Sequence, residues 1–439
     1  TVPLHASVMM NTHNEHAVRQ LQAYGLTRVV TNREMTLDQL RLLKERTGIE
    51  IEYFIHGDMC IAQSGQCIHS GVLFGQSSNR GRCLKPCRWP YQLVDAQTGA
   101  VLESGEQGPY KLALKDMCLY NHLPELIQAG VCSFKIEGRM RTADFVSNIV
   151  RLYRGAIDRY FADPTGYYLT DKEWQEMQES RSRDFSTCYS FGNPGASAVG
   201  YTGEREPRFF SQAVVEPGLD TPVNLPKQQP ASAFPHTPTL SVRVADRASA
   251  SAALENGATT LYVGGEAFLP HRPWTKEDLK SLAQEAQSQQ AKVVVAAPRI
   301  TLDRECSEWS HLFKQAANLG LHGLMVSSIG MLRLAKEYSS LPVYGDFSLN
   351  LFNSVSAKWL QDNGLSQGTI SAEATCEQIE ELCQNTPLPL EMIVHGPLEA
   401  MVMDHHLPEA ILGLEKADVD RSYGLLDTAG QIHPIAIDQ

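Results

Sequence analysis

Residues 49–57 have the sequence Ile-Glu-Ile-Glu-Tyr-Phe-Ile-His-Gly, and residues 388–396 have the sequence Leu-Pro-Leu-Glu-Met-Ile-Val-His-Gly. Both are short apolar runs of the kind that forms a buried strand, and both end in His-Gly. The similarity extends beyond this pair, because residues 2–57 align with residues 341–396 without a gap. The chain therefore contains an internal repeat, which has to be recognised before any fold is assigned.

Short β-branched runs alternate with helical patterns in both copies, which is typical of βαβ units around a parallel sheet. The second copy contains seven candidate strands, at 240–244, 260–263, 292–296, 323–327, 342–346, 368–371 and 390–395. The first copy contains only later strands of the set, at 3–8, 28–31, 49–56 and an additional one at 132–137. Seven strands and this last type make eight, so we predict an α/β fold of two related (β/α)8 TIM-barrel-like copies.

The repeat also predicts the domain organisation. Residues 1–164 form the carboxyl-terminal half of a first barrel, with a long insertion at 58–131, and residues 239–439 form a second copy that lacks its carboxyl end. Between them, 165–238 combines a small module with a proline-rich linker, and a Thr170/Glu173 capping box begins a helix that we expect to run to Arg183. We expect the chain to be a fragment of a longer two-barrel protein; half-barrels of the two copies that assemble together are the alternative.

Composition and charge exclude several classes of protein. The formal net charge is -12, which argues against a uniformly basic nucleic-acid coat, but residues 1–160 carry 18 basic and 15 acidic residues and would attract a polyanion most. No apolar run is long enough for a membrane helix, and the amino end lacks the pattern of a signal peptide. We therefore expect a cytoplasmic protein with no membrane partner.

Cysteines are concentrated in the insertion, which carries five of the ten in the chain. Without an export signal, such a group indicates metal or redox chemistry before disulfides. Four thiolates suit either tetrahedral zinc or an iron–sulfur cluster, and the spacing favours a cluster. The remaining cysteines are expected to be ordinary buried small side chains: Cys132, Cys188, Cys306, Cys376 and Cys383.

Four motifs carry a resemblance to a known family. They are Cys60-x3-Ser-Gly-x-Cys67-x2-Ser70, Ser78-Asn-Arg-Gly-x-Cys83-x2-Pro-Cys87-Arg-x2-Tyr91, Leu114-Lys-Asp-Met-Cys118 and Phe134-Lys-Ile-Glu-Gly-Arg-Met140. Together they resemble the collagenase-like peptidase family U32. Bacterial members of this family include oxygen-independent hydroxylases that carry a 4Fe-4S cluster, and others are described as collagenases or proteases.

The resemblance implies a cofactor, a ligand set and a reaction. The family's four-ligand pattern falls on Cys60, Cys67, Cys83 and Cys118, with Cys87 as an alternative ligand. It implies hydroxylation of an RNA base, either a tRNA wobble uridine to 5-hydroxyuridine or an rRNA cytidine, with prephenate as the possible oxygen donor. The alternatives are a peptidase, a ubiquinone-ring hydroxylation factor and a noncatalytic RNA-binding protein, and a protein partner is also possible.

Charged residues around the last strand of the first copy are the candidate catalytic groups. Alternation places Lys135 and Glu137 on one face of that strand, followed by Arg139, and His56 ends the preceding strand of the sheet. These groups could hold an anionic substrate or move a proton. A structural ion pair between Glu137 and Arg139, and a turn role for His56 shared with His395, are the alternatives.

A basic run lies among the cysteines and supplies the candidate RNA-binding residues: Asn79, Arg80, Arg82 and Arg88. Trp89 and Tyr91 follow it, and arginine with an aromatic side chain is a recognised way to hold a single-stranded nucleotide. The arginines could instead neutralise a thiolate-rich cluster. In the second copy Glu399 and His406 replace Cys60 and Cys67, which indicates either a different metal site or, as we favour, a degenerate copy.

Overall fold

The computed structural model describes residues 2–139, 141–204 and 238–438. These residues form two compact units, one made of 2–12, 21–204 and 399–435 and the other of 13–20, 238–398 and 436–438. Most of the predicted proline-rich linker lies outside the described residues. Within the described part of the chain, no helix is both long and apolar enough to span a lipid bilayer.

The chain begins with alternating strands and helices: β1 (Leu4–Ala6), α1 (Glu15–Ala23), β2 (Leu26–Val30), α2 (Leu37–Thr47) and β3 (Glu50–Gly57). All of them belong to the first unit except the part of α1 before residue 21. The three strands are parallel, in the order β1-β2-β3. Thr36 and Gln39 form a capping box at the start of α2, and Gly48 ends the helix in the left-handed conformation. The apolar side of α2, residues Leu37, Leu40 and Leu43, is buried.

The insertion follows β3 and has little regular structure. Its elements are β4 (Ala62–Cys67), α3 (His69–Phe74), β5 (Gln92–Asp95), β6 (Asp116–Cys118) and α4 (Leu123–Gln128). The strand β6 pairs antiparallel with the end of β3, where His56 lies opposite Cys118. This pairing brings the far end of the insertion back to the carboxyl end of the parallel strands.

The first unit continues with β7 (Val131–Ile136), α5 (Ala143–Ala162), α6 (Asp171–Glu179) and β8 (Phe185–Ser186). β7 is parallel to β3, so the sheet is a curled, half-barrel arrangement of parallel strands with β6 and β8 at one side. The Thr170/Glu173 capping box is confirmed, but α6 ends at Glu179 and does not reach Arg183. Ser180 terminates the helix by donating its hydroxyl to the Met177 carbonyl oxygen.

The second unit is a seven-stranded parallel sheet in sequential order, with a helix after each of its first six strands. Its strands are β9 (Ser241–Arg243), β10 (Thr260–Gly264), β11 (Lys292–Ala296), β12 (Gly323–Val326), β13 (Val343–Gly345), β14 (Leu365–Thr369) and β15 (Leu390–Glu391). Its helices are α7 (Arg247–Glu255), α8 (Lys276–Ser288), α9 (Asp303–Gln315), α10 (Ile329–Tyr338), α11 (Ser354–Asp362) and α12 (Cys376–Asn385). The β-branched and apolar strand residues bury a continuous core against these helices.

The last elements return to the first unit. They are β16 (Met401–Met403), α13 (Leu407–Leu412), β17 (Tyr423–Leu426) and β18 (Ile432–Ile435). β16 pairs antiparallel with β4, and β17 pairs antiparallel with β5, with Leu425 opposite Leu93. The sequence-based division placed these residues with the second copy, whereas the contacts group 399–435 with the first unit.

The internal repeat is visible in the backbone. Asn11 and Asn350 adopt the same left-handed conformation, with φ of 51° and 53°, after equivalent strands. Thr375 and Gln378 cap α12 just as their counterparts cap α2. The predicted strands are found with shifts of a few residues at their ends, so the mixed α/β class with parallel sheets is confirmed, while the closed eight-stranded barrel stays a prediction.

Candidate functional site

The insertion begins with a buried ion-pair network in the first unit. Asp58 Oδ1 accepts hydrogen bonds from Arg141 and Arg183, each at 2.5 Å, and its other oxygen contacts Lys85 Nζ at 3.0 Å. Asp116 accepts from the same two arginines at 2.6 and 2.9 Å. Burial works to raise the pKa of Asp58, but the three cations outweigh it and hold that pKa well below its usual range.

This network positions the thiol-bearing loop. Asp58 is two residues from Cys60, Lys85 is two residues from Cys83, and Asp116 is two residues from Cys118. Charge-assisted hydrogen bonds between distant segments therefore fix three parts of the insertion to one another. The sequence analysis did not identify Arg141 or Arg183 as partners of the insertion.

The edge of the sheet holds the first thiol segment as well. Glu34 accepts hydrogen bonds from the Ser64 amide and hydroxyl, both at 2.9 Å. Gly65 has a φ of +77°, and a Cβ there would lie 2.7 Å from Asn11 Oδ1. Only glycine allows this close approach between β4 and the loop after β1. Asn11 and Glu34 are both matched in the second copy, so these positions belong to the repeat itself.

Among the thiols of the insertion, Cys118 is buried, Cys67, Cys83 and Cys87 are partly buried, and Cys60 is exposed. Burial raises the pKa of Cys67, Cys83 and Cys87, the last to about 12, and the negative charge that Cys60 or Cys83 carries when ionised raises the pKa of Cys87 further. Cys60, Cys67, Cys83 and Cys87 therefore lie close enough to influence one another electrostatically. Burial likewise raises the pKa of Cys118 to about 11, beside Tyr153 and Asp116.

A backbone N–H two residues further along acts on three of the four predicted ligands. The Lys85 N–H donates to the Cys83 sulfur at 3.2 Å, and the backbone N–H groups of His69 and Tyr120 act to lower the pKa of Cys67 and Cys118. Such N–H groups stabilise a ligating thiolate and tune the potential of a cluster that it holds. The pattern supports Cys118, whereas the electrostatic coupling supports Cys87, so both remain candidates for the fourth ligand.

The donor set suits a four-thiolate cofactor, but the side chains do not converge fully. Among the residues that the structure describes, no three His, Cys, Asp or Glu side chains are close enough to share a metal ion. All of these cysteines are free thiols. Free thiols at partly enclosed positions, one of them with an amide donor aimed at the sulfur, fit an iron–sulfur cluster chemically, and ligation requires the loop to tighten around it.

The predicted catalytic charges on β7 form ion pairs across the sheet. Glu137 pairs with Arg33 at 2.5 Å, and Lys135 lies 3.4 Å from Glu52. The two cations lie over the ring of Phe54, at 4.0 and 5.1 Å from its centroid. Glu137, just after β7, therefore pairs with Arg33, whereas the alternative to a catalytic role had been a structural pair with Arg139.

Arg33 is the main site residue that sequence reasoning missed. Burial disfavours its charged form, but the negative charges of Cys60 and Glu137 raise its pKa. Arg33 therefore contacts Glu137, the predicted acid or base, and lies within electrostatic range of Cys60, the first predicted ligand. Its position after β2, at the carboxyl edge of the parallel strands, is the signal that could have identified it. Arg139 is exposed beyond the end of β7.

His56 is enclosed and uncharged. Its side chain is buried among Phe145, Tyr153 and Phe185, with ring centroids 5.4 to 6.0 Å away. Neither ring nitrogen has a hydrogen-bond partner among the described groups. Burial, helped by nearby Arg141, lowers the pKa of His56 to about 3. This environment favours a packing role over acid–base catalysis near neutral pH.

The predicted RNA-binding residues divide into two groups. Arg88 donates to the carbonyl oxygens of Leu114 and Met59, so it anchors the insertion. Arg80 is exposed, and Asn79 and Arg82 are partly exposed in the turn before Cys83. The expected phosphate contact is therefore best suited to Arg80 and Arg82. Tyr91 is buried and donates to the Pro86 carbonyl oxygen, which removes it as a stacking residue.

The other five cysteines do not behave alike. Cys188 and Cys306 are buried as expected, but Cys132, Cys376 and Cys383 are exposed, so that expectation was wrong for these three. Cys132 follows buried Val131 on β7, and strand alternation turns it outward. The two cysteines of α12 lie off its buried stripe.

The second-copy equivalents of Cys60 and Cys67 lie beside a strand, β16, that pairs with the insertion. Glu399 and His406 flank β16, which pairs with β4, and His405 is buried, with its pKa lowered to about 4 by burial. Within the described ranges these residues complete no metal-ligand group. The segment contributes strand pairing to the insertion.

A separate polar cluster lies at the carboxyl ends of strands in the second unit. Arg243 pairs with Glu266 at 2.9 Å, and the Arg299 amide donates to Glu266 at 2.7 Å. Burial raises the pKa of Asp346, while Arg243 and Arg299 act in the opposite direction. Two cations and two carboxylates balance here, so the cluster is a charge-neutral part of the sheet edge.

The fold and the site define an α/β protein with a thiol-rich insertion at the carboxyl edge of parallel strands. The chain belongs to peptidase family U32, whose model matches residues 1–200 and 245–413. The resemblance inferred from the motifs is therefore confirmed.

Several curated proteins are similar to parts of this chain. The tRNA hydroxylation protein P1 of Bacillus subtilis is 40% identical over 197 residues, which cover 44% of this chain and 46% of that protein. The 23S rRNA 5-hydroxycytidine C2501 synthase of Escherichia coli is 42% identical over 157 residues, covering 36% of this chain and 23% of that protein. A collagenase of Porphyromonas gingivalis is 34% identical over 170 residues, covering 36% and 40%.

The matched regions are partial. The chain spans about half or less of the length of these curated relatives. A solved U32 peptidase structure matches 42% of this chain and 83% of its own at 15% identity, with a TM-score of 0.32.

Proposed function

We propose that this chain is part of an iron–sulfur enzyme that hydroxylates an RNA base, with the cluster bound by the insertion at 58–131. Two kinds of support favour this function. Relatives with 40% and 42% identity are named for tRNA hydroxylation and for rRNA 5-hydroxycytidine synthesis. The insertion also combines free thiols, cations and carboxylates at the edge where parallel α/β folds place their chemistry.

The observation that supports the proposal most strongly is the local environment of the cysteine thiols. The Lys85 N–H donates to the Cys83 sulfur, the backbone N–H groups of His69 and Tyr120 act to lower the pKa of Cys67 and Cys118, and the Asp58 and Asp116 network fastens the loop that carries these thiols. A thiol that served only as a core side chain would not need a backbone N–H that favours its ionised form. Cys60, Cys67 and Cys83, with Cys118 or Cys87, would hold the cluster.

A 4Fe-4S cluster supplies electron transfer when bound, and hydroxylation of a pyrimidine carbon is a two-electron oxidation overall. The protein's own residues would bind and orient the substrate. Arg33 and Glu137 form an ion pair within electrostatic range of Cys60. Lys135 provides a further positive charge, and its side chain is 40% exposed. Arg80 and Arg82 would contact phosphates of the RNA backbone. Prephenate, implied by the family resemblance, remains the predicted oxygen donor.

The peptidase alternative receives less support from the thiols. A cysteine nucleophile needs a lowered pKa, but burial raises the pKa of Cys67, Cys83, Cys87, Cys118 and Cys188. Thiols of this kind lose their protons when a metal replaces them, which makes cofactor binding weaker at low pH. We also propose that each copy derives from a (β/α)8 barrel, since seven parallel strands follow one another in sequential order in the second unit.

Mass spectrometry of nucleosides tests the proposed function. RNA is compared between a strain that carries the complete gene and strains in which the gene is deleted or encodes Cys67→Ala or Cys188→Ala. The deletion and Cys67→Ala strains should lose one hydroxylated pyrimidine from tRNA or rRNA, while Cys188→Ala should retain it. Unchanged nucleosides together with altered hydroxylated quinones would favour the ubiquinone alternative. If neither the nucleosides nor the quinones change, RNA hydroxylation is refuted.

A further inference from the structure

The helix α3 presents an exposed apolar surface next to the thiol site. Three consecutive residues in the last turn of the helix, Val72, Leu73 and Phe74, are 41%, 40% and 43% exposed, while His69 and Ser70 in its first turn are buried. The helix begins two residues after Cys67. Adjacent large apolar side chains in water commonly mark a binding surface.

Phe74 is supported by a second aromatic ring. Its ring centroid lies 5.4 Å from that of Trp89, with the two planes at 67° in an edge-to-face arrangement. Trp89 directly follows Arg88, whose guanidinium is held by the carbonyl oxygens of Leu114 and Met59. The indole therefore sits on a fixed backbone and keeps the phenyl ring in place, while much of the phenyl surface remains open to solvent.

The segment between the two aromatic residues carries two arginines. Arg80 is exposed and Arg82 is partly exposed, and both lie in the short segment that connects α3 to Cys83. Ser78, at the start of that segment, donates to the Cys67 carbonyl oxygen, so the turn is fixed next to the thiol strand. An aromatic face flanked by arginines matches an unpaired nucleotide, whose base stacks while its phosphates meet the cations. An apolar protein partner would not call for the flanking positive charge.

We propose that Phe74, backed by Trp89, stacks against an unpaired base and makes this surface selective for loops of RNA over duplexes. The proposal rests on the proposed function and specifies how its substrate is held. Bases in an A-form duplex are already stacked on their neighbours, so only a loop, bulge or end offers an open face. Because α3 starts beside Cys67, the stacked nucleotide would lie close to the base that is modified.

Fluorescence anisotropy with labelled RNA tests this proposal. Binding of a stem–loop and of a duplex with the same stem is measured for the wild-type protein, Phe74→Ala, Phe74→Tyr and Phe74→Leu. Phe161→Ala is the matched control, because Phe161 is a 65% exposed phenylalanine packed against Tyr160. Stacking contributes about 1–3 kcal/mol per base, so Phe74→Ala should weaken stem–loop binding by roughly 5- to 150-fold.

The variants separate stacking from other roles. Phe74→Tyr should keep the affinity, Phe74→Leu should behave like Phe74→Ala, and Phe161→Ala and duplex binding should not change. Full affinity in Phe74→Leu would show an apolar contact without stacking, and full affinity in Phe74→Ala would remove Phe74 from the RNA surface; either result overturns the proposal. A reduced molecular mass of the Phe74→Ala protein in light scattering, with unchanged RNA affinity, would identify a surface between protein copies instead.

This inference and the proposed function can fail separately. Stem–loop binding that depends on Phe74, in a protein whose deletion leaves every RNA nucleoside unchanged, would keep the stacking surface and refute hydroxylation. A hydroxylated nucleoside that persists in Phe74→Ala cells, with unchanged stem–loop affinity, would refute the stacking surface alone. A wild-type protein that binds neither RNA refutes the stacking surface, while the nucleoside analysis still decides hydroxylation.

Discussion

Replacing the two carboxylates of the Asp58 and Asp116 network one at a time tests what holds the insertion to the sheet. Both contact Arg141 and Arg183, and Asp58 also contacts Lys85. If the number of cationic partners determined the contribution to stability, Asp58 would contribute more than Asp116. Burial predicts the reverse order, because the side chain of Asp116 is 2% exposed and that of Asp58 is 27% exposed.

The free energies of exposed and buried ion pairs indicate that burial decides which carboxylate matters more. Exposed ion pairs contribute about 0–1 kcal/mol, whereas removing one partner of a buried pair costs about 3–5 kcal/mol since the other charge is left uncompensated. We therefore expect Asp116→Asn to lower the free energy of unfolding of the first unit by about 3–5 kcal/mol, and Asp58→Asn to lower it by about 1–2 kcal/mol.

The measurement is urea-induced unfolding followed by hydrogen-exchange mass spectrometry, which reports the peptides of each unit separately. Asp158→Asn is the control, because Asp158 forms an exposed pair with Arg154 on α5 and should change the stability by less than about 0.5 kcal/mol. A larger loss in Asp58→Asn than in Asp116→Asn would refute the argument from burial. Losses no larger than the control would show that the network does not hold the insertion.

Three further predictions concern the cofactor, pH and RNA. Cys67→Ala should lose most of the bound iron in elemental analysis while Cys188→Ala keeps it, and equal iron in both would place the ligands elsewhere. Because burial raises the pKa of Asp346, the folded state keeps its proton to higher pH than the unfolded state does, so stability of the second unit falls as pH rises from about 4 towards neutrality. Asp346→Asn should flatten this fall in urea unfolding at several pH values, and an unchanged profile would contradict the assignment. Replacing Arg80 and Arg82 with Gln should weaken RNA binding and reduce the salt dependence by a slope of roughly 0.7 per phosphate contact, whereas a constant slope would indicate that these arginines only compensate the charge of the cluster.

Elements of the fold that repeat a local pattern could be predicted from the sequence. The Thr36/Gln39 and Thr375/Gln378 caps and the runs at β3 and β15 depend on neighbouring residues, so alignment of the two copies located them. The return of 399–435 to the first unit could not be predicted in this way. It depends on antiparallel pairing between strands hundreds of residues apart, with no local signal for the partner.

The same contrast applies to the site. The cysteines and the alternation of Lys135 and Glu137 are visible in short motifs, but their partners are not. Arg33 reaches Glu137 from more than a hundred positions away, and Arg183 reaches Asp58 from a similar distance. Each is a single arginine among many, and only the folded sheet shows which of them meets a buried carboxylate.

The cofactor content of the protein tests the central claim most directly. After anaerobic purification, iron and acid-labile sulfide are quantified and the reduced protein is examined by electron paramagnetic resonance. We predict about four iron and four sulfide per chain and a brown colour with broad absorption near about 400 nm. A colourless protein with one bound zinc and no iron would contradict the account.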